Sequence, residues 1–521
     1  MKPQMAVPST EEGAPGEPCT LRSGFLLQAS LHPDNDALVI GNRSYSYREA
    51  SDIARRWAAG LLEAVGRTPG RVAVFAYRTE VSYLGVLATL LAGGAFVPLN
   101  RKFPLARTRA MLEQADVDAI IVDHESLPQL YDILRGLPRP PVILLPATDH
   151  AFLPRELPGR VIDRRQLERL APLRTLPATA ADDLAYLLFT SGSTGVPSGV
   201  PITNANVRAF LDVNQRRYRF TSQDRVTQTF DQTFDLSVFD LFMAWDSGAC
   251  VCAMQPLELL APFKFIEKHG ITVWFSVPSV AALLIKRGAL LPGSMPTLRW
   301  SLFCGEGLPQ ATAEAWQRAA PHSTIENLYG PTELTIACAV YRWDRNISPT
   351  HCVNDLVPIG EVYAGLDWFI ADERLAPAGP GEIGELCVAG AQTSHGYWRN
   401  GDRTADRFFE RVMPDGRRLW FHRTGDLVAG REGRLAYIGR RDTQIKVGGY
   451  RIELGEIEGV LRRGGSVEAV ALPWPSEIQP ERIVAVVCGA PSLARLEVEA
   501  RKSLPNYMVP SAIHSIAEMP L

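Results

Sequence analysis

A short apolar run that opens into a loop of glycine and hydroxyl residues constrains the fold of this chain most strongly. Residues 184–189 read LAYLLF, which suits a buried strand, and the next six residues, TSGSTG, alternate hydroxyl side chains with glycine. Glycine tolerates positive φ and lets backbone N–H groups approach an anion closely, so the loop suits phosphate. The Gly-Lys-Ser/Thr ending of a Walker loop is absent. An ordinary surface turn remains an open alternative on this stretch alone.

Strand-like and helix-like segments alternate regularly after residue 182. The predicted strands are 184–190, 250–254, 272–276, 301–304 and 324–327, and the predicted helices are 206–215, 238–245, 256–269, 280–287 and 310–319. This alternation predicts a doubly wound, largely parallel sheet, which binds ligands at the carboxyl ends of its strands. The loop after residue 189 would lie at that edge.

The parts of the chain on either side of this region differ from it. Upstream, 72–75 and 119–122 are predicted strands, 84–99 is predicted to be a buried helix followed by a strand, and the proline-containing segments 137–146 and 153–177 are predicted loops and linkers. Downstream, short strands with many glycines follow residue 385. Residues 439–459 read GRRDTQIKVGGYRIELGEIEG, a polar joint that leads into an amphipathic helix. We therefore predict a domain boundary near Arg440 and a small α+β domain after it.

Composition excludes several classes of partner. The net charge of −3 over 521 residues argues against nucleic acid and against an anionic membrane surface. The longest apolar run is interrupted by glycines and is too short to span a bilayer, and the N-terminus shows no targeting signature. The eight cysteines are scattered, so reduced and mostly buried thiols are expected. These features predict a cytoplasmic protein with neither a nucleic-acid nor a membrane partner.

One polar motif ends a predicted strand. Residues 327–333 read NLYGPTE, in which Tyr329 could stack on a base and Glu333 could hold Mg²⁺ against phosphate oxygens. The alternative is an ordinary helix start, with Thr332 as the cap and Glu333 in the first turn. On this motif alone, the helix start is favoured.

Three further motifs place charge in turns or in apolar surroundings. Asp426, in RTGDL, could accept both ribose hydroxyls or could be a simple turn residue. Arg440, in the GRRD sequence that follows Tyr437, could reach a phosphate or ribose or could belong to a solvated charge run. Asp235, in TFDLSVF, needs a cationic partner or a hydrogen-bonded site, so it indicates either a ligand ammonium or a helix cap.

The order and spacing of these motifs resemble the adenylate-forming superfamily, and specifically the adenylation domains of nonribosomal peptide synthetases. The series reads TSGSTG, FDLS, YGPTE, GEL, RTGD, GRRDTQIK and LPNYMVP, and the resemblance extends from YSYREA at residue 45 to the last residue. It implies an α/β protein. Residues 1–439 would form a large N-terminal domain of doubly wound mixed or parallel sheets with a distorted barrel subdomain, and residues 440–521 a small, mobile α+β lid domain.

Members of this family activate a carboxylic acid with ATP and Mg²⁺, release pyrophosphate, and pass the acyl group from AMP to a phosphopantetheine thiol. The partner implied is therefore a phosphopantetheinylated peptidyl carrier protein. The resemblance implies an ATP and AMP site formed by Thr190, Ser191, Gly192, Ser193, Thr194, Gly195, Asn327, Tyr329, Gly330, Thr332, Asp426, Tyr437 and Arg440. The catalytic residues implied are Thr190, Thr332, Glu333, which is also the metal ligand, and Lys446. Asp442 matches the hinge, and the Gly448-Gly449 turn matches the lining of the pantetheine tunnel.

Two departures from the family pattern concern positive charge. The phosphate loop of the family continues Pro-Lys-Gly, whereas this chain has Ser198 in place of the lysine. The catalytic lysine of the family lies a few residues beyond an LPL stretch, and this sequence stops at MPL, residues 519–521. We therefore expect a short further C-terminal tail. Lys446 matches a different lysine, the one associated with thioester formation.

The resemblance also indicates the acid that is activated. Asp235 matches the family residue that pairs with the α-amino group, so an amino acid is expected. The side-chain pocket would be lined by Leu236, Phe239, Phe275, Leu302, Cys304, Leu328, Ile336 and Ala337. This lining carries no charge, suits a small apolar side chain, and most resembles that of stand-alone L-prolyl-AMP ligases. Alanine, valine or another small residue is the alternative substrate. The alternative classes are an acyl- or aryl-CoA ligase and a nucleotide-binding relative without catalysis.

Overall fold

The computed structural model describes residues 19–153, 156–192, 197–379, 381–431, 433–489 and 492–519. Within these residues the strands form five sheets, which contain nine, seven, five, three and two strands. No helix in the same ranges is both long enough and apolar enough to cross a membrane.

The first part of the chain builds the seven-stranded sheet. This part of the chain contains nine strands, seven of which form that sheet: β1 (Asp36–Ile40), β2 (Arg43–Ser46), β3 (Arg71–Phe75), β4 (Ala95–Leu99), β5 (Ala119–Val122), β6 (Val142–Leu145), β7 (Val161–Asp163), β8 (Leu184–Thr190) and β9 (Ser198–Thr203). Its helices are α1 (Ser23–Leu31), α2 (Tyr47–Val65), α3 (Glu80–Leu91), α4 (Leu105–Ala115), α5 (Leu127–Leu134) and α6 (Arg164–Arg169). The sheet order is β7-β6-β5-β3-β4-β8-β9, parallel except for the β8–β9 pair, while β1 and β2 join the nine-stranded sheet.

Most sequence predictions in this part agree with the structure, including β8 at 184–190 and the buried helix and strand at 84–99, which are α3 and β4. The prediction of loops over 137–146 and 153–177 is wrong where β6, β7 and α6 lie. Prolines surround β6, but its apolar residues Val-Ile-Leu-Leu pair in parallel with β5 and β7. Burial of this short run outweighs the breaking effect of the neighbouring prolines.

The second part builds the nine-stranded sheet. Its helices are α7 (Asn204–Tyr218), α8 (Leu236–Asp246), α9 (Phe263–His269), α10 (Pro278–Lys286) and α11 (Gln310–Ala319). Its strands are β10 (Arg225–Gln228), β11 (Cys250–Ala253), β12 (Val273–Ser276), β13 (Trp300–Phe303), β14 (Thr324–Tyr329), β15 (Ala339–Arg342) and β16 (Glu361–Val362). The order is β16-β15-β14-β13-β12-β10-β11-β1-β2. The helix predicted at 256–269 is divided, because α9 begins only after Pro262, and a separate 3-10 turn forms at Glu258–Leu260.

One large core unites the two sheets. It contains side chains of both sheets and of α2, α3, α7 and α8. The predicted pocket residues on α8, β12, β13 and β14 belong to this core, which therefore positions the site described below.

The third and fourth parts are smaller. The five-stranded antiparallel sheet contains β17 (Asp367–Ala371), β18 (Ile383–Ala389), β19 (Phe408–Val412), β20 (Arg418–Arg431) and β21 (Arg434–Arg440), with α12 (Gly401–Arg407) beside it. The C-terminal part contains β22 (Gln444–Val447), β23 (Tyr450–Glu453), α13 (Leu454–Arg463), β24 (Glu468–Trp474), β25 (Arg482–Cys488), α14 (Leu493–Ser503) and β26 (Ala512–Ile516). This C-terminal part has its own apolar core, made of residues between Ile445 and Ile513. The protein is thus an α/β fold with a large N-terminal and a smaller C-terminal portion.

Candidate active site

A cavity of about 860 Å³ lies where the C-terminal portion meets the nine-stranded sheet. Its wall contains predicted site residues from two separate stretches of the sequence, 327–330 and 437–448: Asn327, Leu328, Tyr329, Gly330, Tyr437, Arg440, Asp442, Lys446 and Gly448. The residues from 327 to 330 lie at the carboxyl end of β14, where a doubly wound sheet is expected to bind ligands. Among the residues that the structure describes, Thr190, Thr332, Glu333 and Asp426 are not part of this wall.

A chain of charged hydrogen bonds lies beside the cavity. The Tyr329 hydroxyl donates to Asp426 Oδ2 at 2.6 Å, and Arg440 Nη1 donates to Asp426 Oδ1 at 2.6 Å. Asp426 is buried on β20 directly opposite Arg440 on β21, so strand register, and not a turn, brings them together. Arg440 also donates to both carboxylate oxygens of Asp442, at 2.7 and 2.9 Å. The alternatives of a turn residue at 426 and a solvated charge run at 440 are therefore wrong.

The charge of Arg440 is secured by its neighbours. Burial disfavours the charged form, but Asp426 and Asp442 outweigh burial and raise the pKa of Arg440. Asp442 is also bonded to Arg407 at 3.0 Å, and although burial would raise the pKa of Asp442, the two guanidinium groups hold it well below its usual range. Arg440 and Asp442 are therefore charged at neutral pH, and the hydrogen bonds from Tyr329 and Arg440 hold the Asp426 carboxylate next to the cavity.

Glu333 is fully buried and fully ion-paired. Arg451 Nη1 donates to its two carboxylate oxygens at 2.7 and 3.0 Å, and the Tyr397 hydroxyl donates to Oε1 at 2.6 Å. Burial alone would raise the pKa of this carboxyl, but the Arg451 charge outweighs burial and holds the pKa well below its usual range. Residues 332–334 form a 3-10 turn, yet Thr332 does not cap it. The helix-start alternative is therefore right about the turn and the place of Glu333 in it, but wrong about the cap. Tyr397 and Arg451 were missed, because Tyr397 is 64 residues and Arg451 118 residues away in the chain.

Glu333 offers the chemistry that Mg²⁺ requires. Within the described ranges, no three His, Cys, Asp or Glu side chains cluster closely enough to hold a metal by themselves. Mg²⁺ is commonly bound by one or two carboxylates together with substrate phosphates, so a single buried carboxylate near a phosphate loop fits this ion.

The strand predicted before the loop is β8, and the predicted phosphate loop begins at its end. Thr190, the last residue of β8, pairs with Ser198 across the hairpin, and its hydroxyl donates to the Ser198 carbonyl at 3.4 Å. The Ser191 hydroxyl donates to the backbone carbonyl of Arg451 at 2.9 Å, so the loop touches the C-terminal portion. Gly192 is the last residue described before the gap. Ser193, Thr194 and Gly195 lie outside the described residues.

The predicted side-chain pocket forms one apolar cluster. All eight apolar residues predicted to line it are buried and belong to the same core: Leu236, Phe239, Phe275, Leu302, Cys304, Leu328, Ile336 and Ala337. The ring centroids of Phe239 and Phe275 are 4.8 Å apart, and Phe230, which the sequence analysis missed, packs against Phe275 at the same distance. The aromatic rings of Phe230, Phe239 and Phe275 therefore pack against one another inside this cluster.

Asp235 introduces a carboxylate beside this apolar cluster. It occupies the first position before α8, but its side chain makes no capping hydrogen bond, so the helix-cap alternative is wrong. Its Oδ2 atom is buried and has no hydrogen-bond partner among the described residues. Burial raises the pKa of Asp235 to about 6. Hydrogen bonds from Thr332 and from the backbone of Leu236 and Ile336 oppose this shift without cancelling it. A buried carboxylate oxygen without a partner is costly, and a ligand ammonium would remove that cost.

One wall of the pocket has a strained backbone. Thr335 and Ile336 have φ values of +57° and +75°, which β-branched residues rarely adopt. Gln392, another residue that the sequence analysis missed, holds this wall, because its carbonyl accepts the Thr335 hydroxyl at 2.6 Å and its amide donates to the Ala337 carbonyl at 2.8 Å. A Cβ at Gly330 would lie 2.5 Å from the Ala337 Cα, so this position requires glycine.

The Gly448-Gly449 turn connects β22 to β23 and packs against the N-terminal portion. Both glycines have positive φ, +61° and +79°, and a Cβ on Gly449 would lie 2.4 Å from Val277 Cγ1. The Gly449 N–H donates to Glu306 Oε1 at 2.7 Å. On the neighbouring strand, Lys446 Nζ lies 5.8 Å from the centroid of the Tyr329 ring. The turn and the lysine therefore meet the predicted nucleotide residues in one cavity.

Comparison with known proteins identifies the family. The model of the AMP-binding enzyme family matches residues 25–398. Novobiocin biosynthesis protein H of Streptomyces niveus is 34% identical over 517 residues, which are 97% of this chain and 81% of that protein. L-proline--[L-prolyl-carrier protein] ligase of Streptomyces coelicolor is 34% identical over 497 residues, or 92% of this chain and 90% of that protein.

A solved structure indicates the same family. The Vibrio cholerae adenylation domain AlmE, crystallised with glycyl-adenosine-5'-phosphate, has a TM-score of 0.84 and 31% identity and covers 99% of this chain and 97% of its own. Other relatives are much longer, and this chain spans 24% of one of them. The chain therefore belongs to the AMP-binding enzyme family, as an adenylation domain of the kind found in nonribosomal peptide synthetases.

Proposed function

We propose that this protein activates a small apolar amino acid, L-proline in the first instance, with ATP and Mg²⁺. The products are aminoacyl-AMP and pyrophosphate, and the aminoacyl group then passes to the phosphopantetheine thiol of a peptidyl carrier protein. The observation that carries the proposal is the buried Asp235 carboxylate, whose Oδ2 has no hydrogen-bond partner among the described residues, beside eight apolar side chains. The L-prolyl-carrier protein ligase supports proline, since it is 34% identical to this chain.

Two interactions in the pocket would select the substrate. The substrate ammonium pairs with Asp235, which satisfies the buried carboxylate. The substrate side chain contacts Phe239, Phe275 and their neighbours, which offer no charged partner. A charged or amide side chain would lose its hydrogen bonds with water and find none here, so it is rejected. The pyrrolidinium ring of proline brings a charged nitrogen and a compact apolar body, and both match the pocket.

The nucleotide would lie in and beside the cavity that Tyr329 and Arg440 line. Tyr329 offers a ring to adenine, Asp426 offers a carboxylate to the ribose hydroxyls, and Thr190, Ser191 and Thr332 offer hydroxyls to the phosphates. Glu333 would hold Mg²⁺, which neutralises phosphate charge when bound. Charge neutralisation and positioning account for most of the catalysis of such phosphoryl chemistry, so the residues need only hold the reactants in place.

The arrangement of the C-terminal portion suits the second step, the transfer to the thiol. We assign residues 440–521 to a lid domain that turns about Asp442, and residues 1–439 to the adenylation core. In the observed arrangement Arg451 is ion-paired with the Glu333 carboxylate, and the Gly448-Gly449 turn packs against Val277. Mg²⁺ and Arg451 would compete for Glu333, so adenylation requires a different lid position.

Amino-acid-dependent exchange of pyrophosphate into ATP tests the proposal. Wild-type protein is assayed with each proteinogenic amino acid, beside Asp235→Asn and the control Asp212→Asn, a half-exposed carboxylate on α7. Exchange that peaks at L-proline, is lost in Asp235→Asn and persists in the control supports the proposal. A peak at alanine or valine overturns proline. No exchange with any amino acid, together with thioester formation from coenzyme A and an aryl or fatty acid, overturns amino-acid activation.

A further inference from the structure

A positively charged side chain stands at the position where the phosphate loop lacks its lysine. Ser198 replaces that lysine at the start of β9, directly across the hairpin from Thr190. Arg403, on α12, reaches this position from 205 residues away, and its Nη1 donates to the Ser198 hydroxyl at 2.6 Å. The guanidinium therefore lies at the side chain of the loop residue where the family pattern described above has a lysine.

The surroundings hold Arg403 in place without using up its hydrogen-bond donors. Its side chain is 15% exposed, and its guanidinium carbon lies 4.6 Å from the centroid of the Tyr397 ring. A guanidinium has five N–H donors, and within the described residues the side chain of Arg403 makes one hydrogen bond, to Ser198. Tyr397 in turn donates to Glu333, so the stacked ring joins Arg403 to the proposed metal ligand. A cation with free donors beside a phosphate loop suits a phosphate ligand.

The C-terminal portion places a carboxylate opposite this cation. Glu453, at the end of β23, lies 3.7 Å from Arg403 Nη2, and it also accepts a hydrogen bond from Gln444 at 2.6 Å. Two residues earlier on the same strand, Arg451 binds Glu333. The strand β23 thus presents a positive group to Glu333 and a negative group to Arg403. These two groups have the charges that Mg²⁺ and a phosphate would present to the same residues.

We propose that Arg403 binds the terminal phosphates of ATP and replaces the missing loop lysine. The inference rests on the proposed function, because it assigns a role in the same nucleotide site. In the adenylation arrangement Glu453 has moved away with the lid, and the phosphates take its place at Arg403. Arg403 positions and neutralises the leaving pyrophosphate and touches no part of the amino acid.

Nucleotide affinity tests the assignment independently of any amino acid. ATP, pyrophosphate and AMP are titrated against wild-type protein, Arg403→Gln, the double variant Arg403→Gln with Ser198→Lys, and the control Arg399→Gln, whose side chain binds Asp116 on the surface. Loss of a charged phosphate contact should weaken ATP and pyrophosphate binding by about tenfold or more and leave AMP within about twofold, because AMP lacks the terminal phosphates. The lysine at 198 should restore most of the loss. The Michaelis constant for ATP in pyrophosphate exchange should follow the same order.

Different results test the role of Arg403 and the proposed function. Equal weakening of ATP and AMP, no weakening of either, or no recovery with Ser198→Lys would overturn the role of Arg403. Wild-type protein that binds ATP but shows no exchange with any amino acid would overturn the proposed function. The nucleotide titrations would still decide on Arg403 in that case.

Discussion

Replacement of Arg451 by glutamine should separate the two steps of the proposed reaction. Arg451 neutralises the buried Glu333 carboxylate only when the C-terminal portion lies as observed. The variant removes this partner but keeps the backbone carbonyl that accepts the Ser191 hydroxyl. We therefore expect transfer to the thiol to slow down, while formation of aminoacyl-AMP is unchanged.

The magnitude follows from the burial of the pair. Glu333 is 0% and Arg451 16% exposed, and removal of one member of a buried ion pair costs about 3–5 kcal/mol. Tyr397 remains bonded to Glu333, and water can enter the space that glutamine leaves, so the lower value of about 3 kcal/mol applies. This value corresponds to a roughly hundredfold smaller population of the observed arrangement, and to a similar loss in the rate of transfer.

The assay measures both steps on the same preparations. Pyrophosphate exchange reports adenylation, and loading of a phosphopantetheinylated carrier protein from preformed aminoacyl-AMP reports transfer. Arg462→Gln is the matched control, because this arginine is 46% exposed and pairs with Glu458 on the surface. Arg451→Lys should lie between wild type and glutamine, since lysine keeps the positive charge but not the planar guanidinium. An equal loss in both steps, or no loss in either, would refute the reasoning.

Four further predictions concern the pocket, the metal and the turn. Asp235→Ala should lower kcat/KM for the amino acid by about 10² to 10³ and leave ATP binding intact, which titration of ATP without amino acid checks. In wild-type protein the KM for the amino acid should rise as pH falls below about 6, because protons and the substrate ammonium compete for the Asp235 carboxylate; a KM that is flat from pH 5 to 8 would contradict this. Glu333→Gln should raise the Mg²⁺ concentration that half-saturates exchange, and an unchanged Mg²⁺ dependence would exclude Glu333 from the metal site. Gly449→Ala should slow transfer about tenfold or more and spare exchange, because its Cβ would meet Val277 in the observed arrangement, and loss of both activities would contradict a role of the turn in transfer alone.

Much of the fold was predictable because its signals are local. The apolar run of β8 and the alternation of strands and helices depend on neighbouring residues, and so does the phosphate loop. The same approach was wrong at β6, where burial in the sheet outweighs the adjacent prolines, and at 256–269, where Pro262 divides the helix. In both places a local proline signal competed with burial, and the sequence alone did not show which would prevail.

Motif order and residue type can be read along the chain, so the sequence was enough to predict the family and the chemistry that the pocket offers. The position of Asp235 among apolar residues already indicated a buried carboxylate that needs a cationic partner. Which charged groups pair with one another became clear only from the folded chain. Arg451 joins Glu333 across 118 residues, and Arg403 joins Ser198 across 205 residues. No local pattern predicts such pairs, because each depends on strand register and on how the C-terminal portion packs against the N-terminal one.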